Sequence, residues 1–501
     1  MTPLPPLGAP VDVPSGRPAR PPEHVDAVVV GGGIGGLVAA RTLVHRGLQV
    51  VLLEASDRVG GPVRGGAFGS LPVRLDLGAE SFAARGTAVT DLAEELGLDV
   101  VSPAPLSAWG YAAGRAFPLP KAGVLGIPSV PWAPDVRRAI GWPGVARAAL
   151  DRVLPRFVAD TTDLGTLVRS RLGRRVADRL VAPVATGVHS APLDRLDVAA
   201  VAPGLLDAFA RTASLSRAVA ELRAAAPAGS AVRGIDGGIH AVVEALTGEI
   251  AASAEEFADS PRTDATGPIH AAVRVGQQVD GVERLGADWQ VTTTVGDTVR
   301  APRLVVTTPQ VAPLLSPWVT APGEVEPGSV PVPAAEAGAD IWLATLLLDA
   351  PELDDAPRGS GLLVAPDGDG ADGVRAKALT HATAKWPWLA DRLRAVAGPG
   401  VHVVRLSYGR IGAATEPPSA EEAARDASAL LGVDLTDRVR DHLLQRWDGA
   451  LPPPTPAYRA QVGAFTAAVG HTPGLAVTGG WVAGTGLAAI VAHAQAAVAA
   501  L

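Results

Sequence analysis

A glycine-rich turn near the start of the chain is the first segment whose residues could do chemistry. The apolar run Ala27-Val-Val-Val30 leads into it, and Leu37, Ala40 and Leu43 follow at the spacing of a helix face. A strand, a glycine turn and a helix in this order suit a pyrophosphate, because the helix N-terminus offers N–H donors and a positive dipole. We therefore predict that a dinucleotide contacts Gly31, Gly32, Gly33, Ile34, Gly35 and Gly36.

An acidic residue follows the second apolar run at the distance that a dinucleotide site requires. The run Gln49-Val-Val-Leu-Leu53 is followed by Glu54, which stands 54 − 31 = 23 positions after the first glycine. A carboxylate at this point can accept hydrogen bonds from the ribose of an adenosine. The alternative is a glycine-rich turn followed by an ordinary surface glutamate.

The segment after Glu54 indicates which dinucleotide binds. Its sequence, Ala55-Ser-Asp-Arg58-Val-Gly-Gly-Pro-Val-Arg64, resembles the second signature of the flavin amine oxidase and protoporphyrinogen oxidase superfamily. The resemblance implies FAD rather than NAD. Paired glycines would let the main chain lie against the flavin, and the arginines would offset phosphate or flavin charge, with solvated surface arginines as the alternative. The implied contacts are Ala55, Arg58, Gly60, Gly61, Pro62, Val63, Arg64 and, in the similar segment 75–82, Gly78.

The far end of the chain resembles the C-terminal flavin motif of the same superfamily. Residues 475–487, Leu-Ala-Val-Thr-Gly-Gly-Trp-Val-Ala-Gly-Thr-Gly-Leu, have the pattern of a strand, a glycine-rich turn and the start of an alanine-rich helix. A helix N-terminus there would place a positive dipole beside the ring that becomes anionic on reduction. The resemblance implies further FAD contacts at Gly480, Thr485, Gly486, Leu487, Trp447 and Val279, although Val279 also fits a plain strand core.

Segments between these ends narrow the resemblance to protoporphyrinogen and coproporphyrinogen oxidases. They are residues 163–190, Gly-Ile-Asp-Gly-Gly at 234–238, Lys-Ala-Leu-Thr at 377–380 with Lys-Trp-Pro at 385–387, and Arg-Trp-Asp-Gly-Ala-Leu-Pro at 446–452. The Lys-Trp-Pro and C-terminal motifs resemble, in particular, the Gram-positive branch that acts on coproporphyrinogen III. Pro453 and Pro454 depart from the family pattern, which usually has Gln-Tyr there.

The resemblance implies an enzyme of haem biosynthesis that removes six electrons from a cyclic tetrapyrrole. Three rounds of flavin reduction, each followed by reoxidation with O₂, would release hydrogen peroxide. The propionates of such a substrate are anionic, and Arg85 matches the arginine that the family has after Ser-Phe. A solvated charge is the alternative for Arg85, and Lys377 and Lys385 are weaker candidates for the same role. No catalytic base is assigned.

Three other functions stay open from the sequence. Protoporphyrinogen IX could be the substrate in place of coproporphyrinogen III. A flavin amine oxidase is the second alternative, although such enzymes typically frame the flavin with aromatic side chains and the tyrosines of this chain are Tyr111, Tyr408 and Tyr458 alone. The third is a flavoprotein that binds a tetrapyrrole without turnover, because a fold does not fix a function.

The composition bounds the class of protein and its partners. The chain has 501 residues, of which 48% are hydrophobic and 19% charged, enough apolar material for a large core. A net charge of −8 provides no broad positive field, so nucleic acid is not an expected partner. With no cysteine and ten scattered histidines, we expect neither disulfides nor a metal site.

Two features bear on where the protein acts. The first 23 residues are rich in proline and glycine and lack the apolar stretch of an export signal, so we expect a cytoplasmic protein. Trp109, Trp132 and Trp142 are candidates for contact with a membrane surface or a partner of the haem pathway. Burial in the core is the more frequent role of tryptophan.

The motifs come from both ends of the chain, so the elements that position them cannot form one continuous segment. The resemblance implies an α/β fold of the p-hydroxybenzoate hydroxylase type, with a Rossmann-like FAD-binding domain built from discontinuous segments. We predict this domain over residues 25–90, 225–310 and 440–501, a helical domain over 91–224 and a mixed-sheet substrate domain over 311–439, after a disordered tail over 1–24. Residues 249–268, 322–333 and 367–373 are predicted surface loops.

Overall fold

The fold is mixed α/β, as the sequence predicts, with several sheets packed against helices. This computed structural model describes residues 21–84, 86–225, 232–258, 272–320, 328, 330–334, 338–366, 373–412, 416–450 and 455–501. Its strands are β1 (Glu23–His24), β2 (Ala27–Val30), β3 (Val50–Leu53), β4 (Gly65–Ala67), β5 (Arg74–Asp76), β6 (Phe82–Ala83), β7 (Val100–Val101), β8 (Ala108–Ala112), β9 (Arg115–Pro118), β10 (Gly123–Val124), β11 (Ile127–Pro128), β12 (Val232–Ile235), β13 (Ala272–Arg274), β14 (Val279–Leu285), β15 (Asp288–Thr293), β16 (Thr298–Ala301), β17 (Leu304–Val306), β18 (Ala339–Asp349), β19 (Gly361–Val364), β20 (Ala378–His381), β21 (Val401–Tyr408), β22 (Val439–Ala450) and β23 (Leu475–Val477).

The α-helices are distributed along the whole chain, with a dense group in its second quarter. They are α1 (Ile34–His45), α2 (Ala88–Glu95), α3 (Pro134–Ala149), α4 (Leu164–Leu172), α5 (Arg174–Val176), α6 (Ala182–His189), α7 (Val198–Val201), α8 (Leu205–Thr212), α9 (Leu215–Ala224), α10 (His240–Ala258), α11 (Ala312–Leu315), α12 (Ala382–Lys385), α13 (Pro387–Ala397), α14 (Ala420–Leu431), α15 (Pro456–Val469), α16 (Gly480–Ala483) and α17 (Leu487–Ala499). Among the residues that the structure describes, no helix is both long enough and apolar enough to cross a membrane.

A parallel sheet in the order β13-β3-β2-β17-β23 unites the two ends of the chain. One of its faces is covered by α1, α10 and α17, and the other by the sheet β1-β16-β15-β14 and by α15. Strands buried on both faces read as continuous apolar runs, and Ala27–Val30 and Val50–Leu53 are such runs. The glycine turns therefore follow the carboxyl ends of β2 and β23, at the same edge of this sheet.

A mixed sheet in the order β22-β18-β21-β20-β19-β8-β9 forms the second layer. Its strands pair antiparallel, except that β19 pairs parallel with β8. One face packs on α14, and the other packs on α13 and on the segment around β5. This second face lies next to the segment that contains Gly78.

The helices α3 to α9 enclose a separate apolar core. Asp151 and Arg171 are fully buried inside it and pair at 2.9 Å. Burial alone would raise the pKa of Asp151, but hydrogen bonds from Ser216, Ser214 and Leu215 lower it, so the carboxylate stays charged beside Arg171. A buried pair with this many hydrogen bonds fixes how the surrounding helices meet.

The predicted segment boundaries differ from the structure in two places. Residues 91–224 are not helical from their start, because β8 and β9 form a hairpin whose turn, Ala113 and Gly114, has positive φ at both positions. This hairpin extends the mixed sheet by pairing with β19. Strand β22 pairs with β18 in the mixed sheet, although residues 440–450 were predicted with the FAD-binding segments.

The tail and loop predictions also need correction. Glu23 and His24 pair with β16, so the disordered tail predicted over 1–24 is wrong for these two residues. Residues 249–258 continue α10, because a segment rich in alanine and glutamate favours a helix once its neighbours anchor it. The remaining part of that predicted loop, 259–268, lies outside the described residues, as do 322–327, 329 and 367–372.

Candidate functional site

The glycine turn between β2 and α1 leaves space at one position and none at another. Gly31 has a φ of +102°, which residues with side chains rarely adopt. A Cβ on Gly36 would stand 1.9 Å from the carbonyl oxygen of Gly31, so helix and strand pack this closely only with glycine. A Cβ on Gly33 would meet nothing within 4 Å, and no side chain caps the helix that starts after it. A pyrophosphate fits at this open, uncapped helix start.

Glu54 lies at the carboxyl end of β3 and holds the glycine turn through its carboxylate. Oε2 accepts a hydrogen bond from the N–H of Gly32 at 2.6 Å, and Oε1 accepts one from the N–H of Ser56 at 2.8 Å. The Glu54 carbonyl oxygen accepts from the N–H of Gln277 at 2.8 Å. The chain that leads to Val279 therefore lies beside Glu54, while the Val279 side chain packs in the core.

The signature loop, residues 58–64, lies against the glycine turn. The N–H of Gly60 donates to the carbonyl oxygen of Gly32 at 2.8 Å, and Gly60 pairs with Gly33 as an isolated parallel bridge. A Cβ on Gly61 would stand 3.7 Å from the Cα of Gly33. Arg58 folds back and donates to the carbonyl oxygen of Gly61 at 2.8 Å. The two glycine-rich segments thus form one continuous backbone surface.

The arginines of the signature loop make this part of the site positive. Burial lowers the pKa of Arg58 and the like charge of Arg64 lowers it further, against smaller opposing effects of Asp57 and Glu54. Both arginines line a cavity of about 650 Å³ between the loop and α10. Neighbouring like charges favour an anion between or beside them, which is the chemistry predicted for these arginines toward phosphate or flavin.

Gly78 occupies a space that admits no side chain. A Cβ there would stand 1.8 Å from the carbonyl oxygen of Pro62 and 3.1 Å from Cζ2 of Trp447. The indole N–H of Trp447 donates to the carbonyl oxygen of Leu77 at 3.1 Å, and the N–H of Ala79 donates to the carbonyl oxygen of Pro62 at 3.1 Å. The structure therefore brings Pro62, Gly78 and Trp447, which were predicted from distant segments, into direct contact.

The C-terminal glycine turn adjoins the N-terminal one. A Cβ on Gly35 would stand 3.1 Å from the Cα of Gly479, so α1 and the turn after β23 touch through their backbones. Helix α17 starts after Gly486, where a Cβ would meet nothing within 4 Å and no side chain caps the helix. The predicted contact residues of this turn are exposed or half-buried, and they are Gly480, Thr485, Gly486 and Leu487.

The geometry fits a dinucleotide such as FAD. Gly33 and Gly486 keep space open at two helix starts that offer N–H groups and positive dipole to an anion. Gly36 and Gly78 allow approaches of backbone to backbone that a Cβ would prevent. Three predicted residues remain. Ala55 is exposed beside Glu54, Val63 is buried beside Pro62, and Ile34 is buried at the start of α1.

Asp76, which sequence reasoning missed, fixes the start of α10. Its carboxylate accepts hydrogen bonds from the N–H of Ile239 at 2.9 Å and the N–H of His240 at 3.0 Å, and the imidazole of His240 lies 2.9 Å from Oδ1. The Gly-Ile-Asp-Gly-Gly segment ends at Gly238, where φ is +105° and a Cβ would stand 3.0 Å from Asp76. An acid within an apolar segment, two positions before a glycine, was the available signal.

A second missed group, Glu80, lies between two cations. Its Oε2 is 2.8 Å from Arg405 and its Oε1 is 2.5 Å from Lys385. Burial alone would raise the pKa of Glu80, but the positive charges of Arg405 and Lys385 outweigh that effect and lower the pKa to about 2. No local pattern identifies these partners, because 405 − 80 = 325 positions separate the acid from the arginine.

The predicted substrate cations have different environments. Arg85 lies outside the described residues, as do Pro453 and Pro454. Lys377 is buried and donates to the hydroxyl of Ser190, and Lys385 pairs with Glu80, so both lysines have partners within the protein. These two weaker candidates for propionate binding therefore already have hydrogen-bond or ion-pair partners.

Comparison with known proteins gives three findings. The family model for flavin containing amine oxidoreductases matches residues 34–341. Coproporphyrinogen III oxidase of Propionibacterium freudenreichii subsp. freudenreichii is 34% identical over 203 residues, which are 38% of this chain and 37% of that protein. Coproporphyrinogen III oxidase of Bacillus subtilis (strain 168) is 32% identical over 191 residues, which are 36% of this chain and 40% of that protein. The matched segments thus span well under half of these relatives.

A solved structure extends the likeness in fold to almost the whole chain. It is a protein of Exiguobacterium sp. 255-15, described provisionally as a protoporphyrinogen oxidase. The TM-score is 0.72 at 23% identity, and the match covers 95% of this chain and 98% of that one. At this identity the likeness concerns the fold alone.

Proposed function

Since the chain belongs to the flavin containing amine oxidoreductase family, we propose that it oxidises coproporphyrinogen III to coproporphyrin III with FAD as its cofactor. The observation that carries this proposal is the 34% identity with the coproporphyrinogen III oxidase of P. freudenreichii. The corresponding enzyme of B. subtilis supports the same substrate. The contacts described above support the cofactor.

Each part of the site has a proposed role toward FAD. The open start of α1 at Gly33 receives the pyrophosphate, and Glu54 accepts hydrogen bonds from the ribose in addition to those from Gly32 and Ser56. The start of α17 at Gly486 would offer its N–H groups and positive dipole to the flavin ring, which would favour the ring's negatively charged form. FAD, when bound, supplies the two-electron oxidation of a C–H bond.

The protein's part in the reaction is to orient the reactants and exclude water. Aromatisation of the tetrapyrrole drives the overall oxidation, so we assign no strong catalytic base, and positioning and desolvation carry most of the acceleration. We propose dioxygen as the final acceptor. The balance is then one coproporphyrinogen III and three O₂ giving one coproporphyrin III and three H₂O₂, with six electrons transferred.

The aromatic residues of the chain do not support the amine oxidase alternative. Tyr111 and Tyr408 are buried in the core beside α14, and Tyr458 donates to the main-chain carbonyl of Trp481 at 2.7 Å. A pair of facing aromatic rings around the flavin is therefore not part of the proposal.

Anaerobic mixing with coproporphyrinogen III tests the function. The FAD-loaded protein should lose its visible flavin absorbance under these conditions. Admission of dioxygen should restore the flavin band with peroxide release, and porphyrin fluorescence should then appear, because one porphyrin requires three two-electron rounds. Protoporphyrinogen IX and a set of primary amines are offered in parallel, and faster bleaching by either would replace the proposed substrate. Binding of the tetrapyrrole without bleaching would indicate a carrier and would contradict an oxidase.

We also propose that residues 132–157 contact an anionic membrane surface. Several apolar side chains there are exposed, namely Trp132, Trp142, Leu150, Val153 and Phe157, the last at 87%. Exposed arginines accompany them, with Arg137 4.9 Å from the centre of the Trp142 ring and Arg152 4.3 Å from that of Trp132. Arginine and aromatic side chains together suit the interface between lipid headgroups and acyl chains.

A further inference from the structure

The Gly78 loop, residues 76–80, is held from both sides by hydrogen bonds to its main chain. On one side its N–H groups bind the signature loop, with Leu77 donating to the carbonyl oxygen of Arg64 at 2.8 Å and Ala79 to that of Pro62 at 3.1 Å. On the other side its carbonyl groups bind side chains of the mixed sheet. Few positions in this loop are left to move independently.

Arg405 supplies most of the bonds from the mixed sheet. Its guanidinium donates from one nitrogen to the carbonyl oxygens of Asp76 at 3.1 Å and Gly78 at 2.9 Å. Its other terminal nitrogen lies 2.8 Å from Oε2 of Glu80. Trp447 completes the set by donating to the carbonyl oxygen of Leu77. Every carbonyl from residue 76 to residue 78 is therefore bound from β21 or β22.

Glu80 and Lys385 determine how Arg405 is aimed. The side chains of Arg405, Glu80 and Lys385 are 12%, 13% and 16% exposed, so all three charges are largely withdrawn from water. Lys385 holds Oε1 of Glu80 and leaves Oε2 for Arg405. Because a buried ion pair often contributes little net stability, its geometric effect is the more informative property.

The shape of the cation matters in this arrangement. A guanidinium is a rigid planar fork that can bind a carboxylate and two carbonyl groups at once, whereas an ammonium is a compact charge on a flexible stem. Arg405 uses the fork to span Asp76, Gly78 and Glu80. Replacement by lysine would keep the charge and lose the span.

The Gly78 loop connects through a continuous set of contacts to the dinucleotide crevice, which is the proposed FAD site beside Gly33 and the signature loop. Gly78 touches Pro62, Pro62 follows Gly61, and Gly61 approaches the Cα of Gly33 at the start of α1. Gly78 lies so close to the Pro62 carbonyl that there is no room between them for a Cβ. The loop therefore cannot shift toward Pro62. Whatever fixes the carbonyl side of the loop therefore fixes the wall of the crevice.

We propose that Arg405, oriented by Glu80 and Lys385, is a positioning residue that holds the Gly78 loop against bound FAD. The inference rests on the proposed function only in placing FAD in this crevice, and it is independent of the substrate. Loss of the fork should loosen the loop, weaken FAD binding and alter the environment of the flavin without unfolding the protein.

The test compares Arg405→Lys, Arg405→Gln and Glu80→Gln with the parent chain. The dissociation constant for FAD is measured by quenching of flavin fluorescence on the FAD-depleted protein, and the visible absorbance and circular dichroism of bound flavin are recorded. We expect FAD affinity to fall about tenfold in both Arg405 variants and the flavin spectrum to shift, because charged hydrogen bonds to the loop are lost. Glu80→Gln should move the same readouts in the same direction.

Arg438→Gln is the matched control. Arg438 also forms an ion pair, with Glu352 at 3.1 Å, but both partners are 48% exposed and lie just outside the strands β22 and β18. This variant should bind FAD with the parent's affinity and spectrum. The same result for Arg405→Lys, with affinity within about twofold and an unchanged spectrum, would show that Arg405 is merely a structural ion-pair partner.

Two outcomes separate this inference from the proposed function. If the parent binds FAD but does not oxidise coproporphyrinogen III, the proposed function fails, and the binding data on the variants still decide the role of Arg405. Should both Arg405 variants fail to fold, Glu80→Gln and Lys385→Met decide it, because each leaves Arg405 in place while removing part of its orientation. Unchanged FAD binding and spectra in both would overturn the inference.

Discussion

The indole N–H of Trp447 donates to the carbonyl oxygen of Leu77 at 3.1 Å, although 370 positions separate the two residues in the chain. This bond joins β22 of the mixed sheet to the loop that carries Gly78. It also sets the Trp447 ring 3.1 Å from the point where a Cβ on Gly78 would stand. The proposed wall of the flavin site thus combines residues of two sheets at one contact.

Trp447→Phe should keep an aromatic ring in this contact and remove the hydrogen bond. The carbonyl oxygen of Leu77 then loses its partner, so we expect the free energy of unfolding to fall by about 1–2 kcal/mol. The absorbance of bound flavin should also change. Trp109→Phe, at a half-buried tryptophan of the same sheet, is the control for ring size in chemical denaturation. Equal effects of the two variants would contradict a specific role for Trp447.

Gly33→Ala should weaken FAD binding, whereas Gly36→Ala should lower the stability of the fold. The methyl group added at position 33 would enter open space, so the FAD-free protein should keep its Tm while its FAD affinity falls, because that methyl group occupies the predicted pyrophosphate position. The methyl group added at position 36 would stand 1.9 Å from a carbonyl oxygen, so Gly36→Ala should lower the Tm itself. Thermal unfolding and FAD titration separate the two effects.

Gly463→Ala is the control for this pair, because a Cβ there meets nothing within 4 Å and the residue lies in α15. It should leave FAD binding unchanged. If Gly33→Ala also binds FAD like the parent, the pyrophosphate is not held at the start of α1.

Lys377→Met should increase the free energy of unfolding near neutral pH, and this increase should disappear at alkaline pH. Burial, with a further contribution from Arg410, lowers the pKa of Lys377 from 10.5 to about 7. Between pH 7 and pH 10.5 the unfolded chain binds a proton that the folded protein does not, so the stability of the parent rises with pH across this window. We expect a gain of about 1–3 kcal/mol for Lys377→Met at about pH 6, vanishing above about pH 10.5.

Urea denaturation at about pH 6, 8 and 10, of which the last two lie between the two pKa values, measures how this difference declines as the pH rises. Lys121→Met, at an exposed lysine, is the control and should show no such pH dependence. A constant difference between Lys377→Met and the parent across the three pH values would show that Lys377 is charged in the folded protein.

The exposed patch at residues 132–157 predicts a vesicle-binding difference. The parent should sediment with vesicles of phosphatidylcholine and phosphatidylglycerol at low salt and stay in the supernatant at high salt. Salt screens the attraction between the arginines and the anionic lipid. The double variant Trp142→Ser with Phe157→Ser should lose about tenfold or more in partition, through lost apolar burial.

The control for the patch is Leu285→Ser with Val295→Ser, two exposed apolar residues in and beside the β14–β15–β16 sheet. Vesicles of phosphatidylcholine alone test the charge contribution. Equal vesicle binding of the patch variant, the control and the parent would contradict the membrane proposal. If the parent binds a haem-pathway enzyme but no vesicles, the patch is a site for a protein partner.

The sequence by itself determined the elements around each motif. The order of apolar run, glycine turn, helical spacing, second run and acid at residues 27–54 depends on local rules, namely the period of the hydrophobic pattern and the conformational freedom of glycine. The structure has β2, α1, β3 and Glu54 in that order. The similar pattern at 475–487 likewise became β23 and the start of α17.

Only the tertiary structure decided which distant segments meet. Residues 439–450 have an ordinary strand pattern, and no local feature of the sequence predicts whether β22 joins the parallel sheet or the mixed sheet. The partners of Glu80 cannot be predicted from the sequence either. Nothing in the local sequence distinguishes Arg405 and Lys385 from the other basic residues, and only the fold places them beside Glu80. Local sequence encodes backbone conformation, whereas pairings between segments hundreds of positions apart depend on the packing of the whole core.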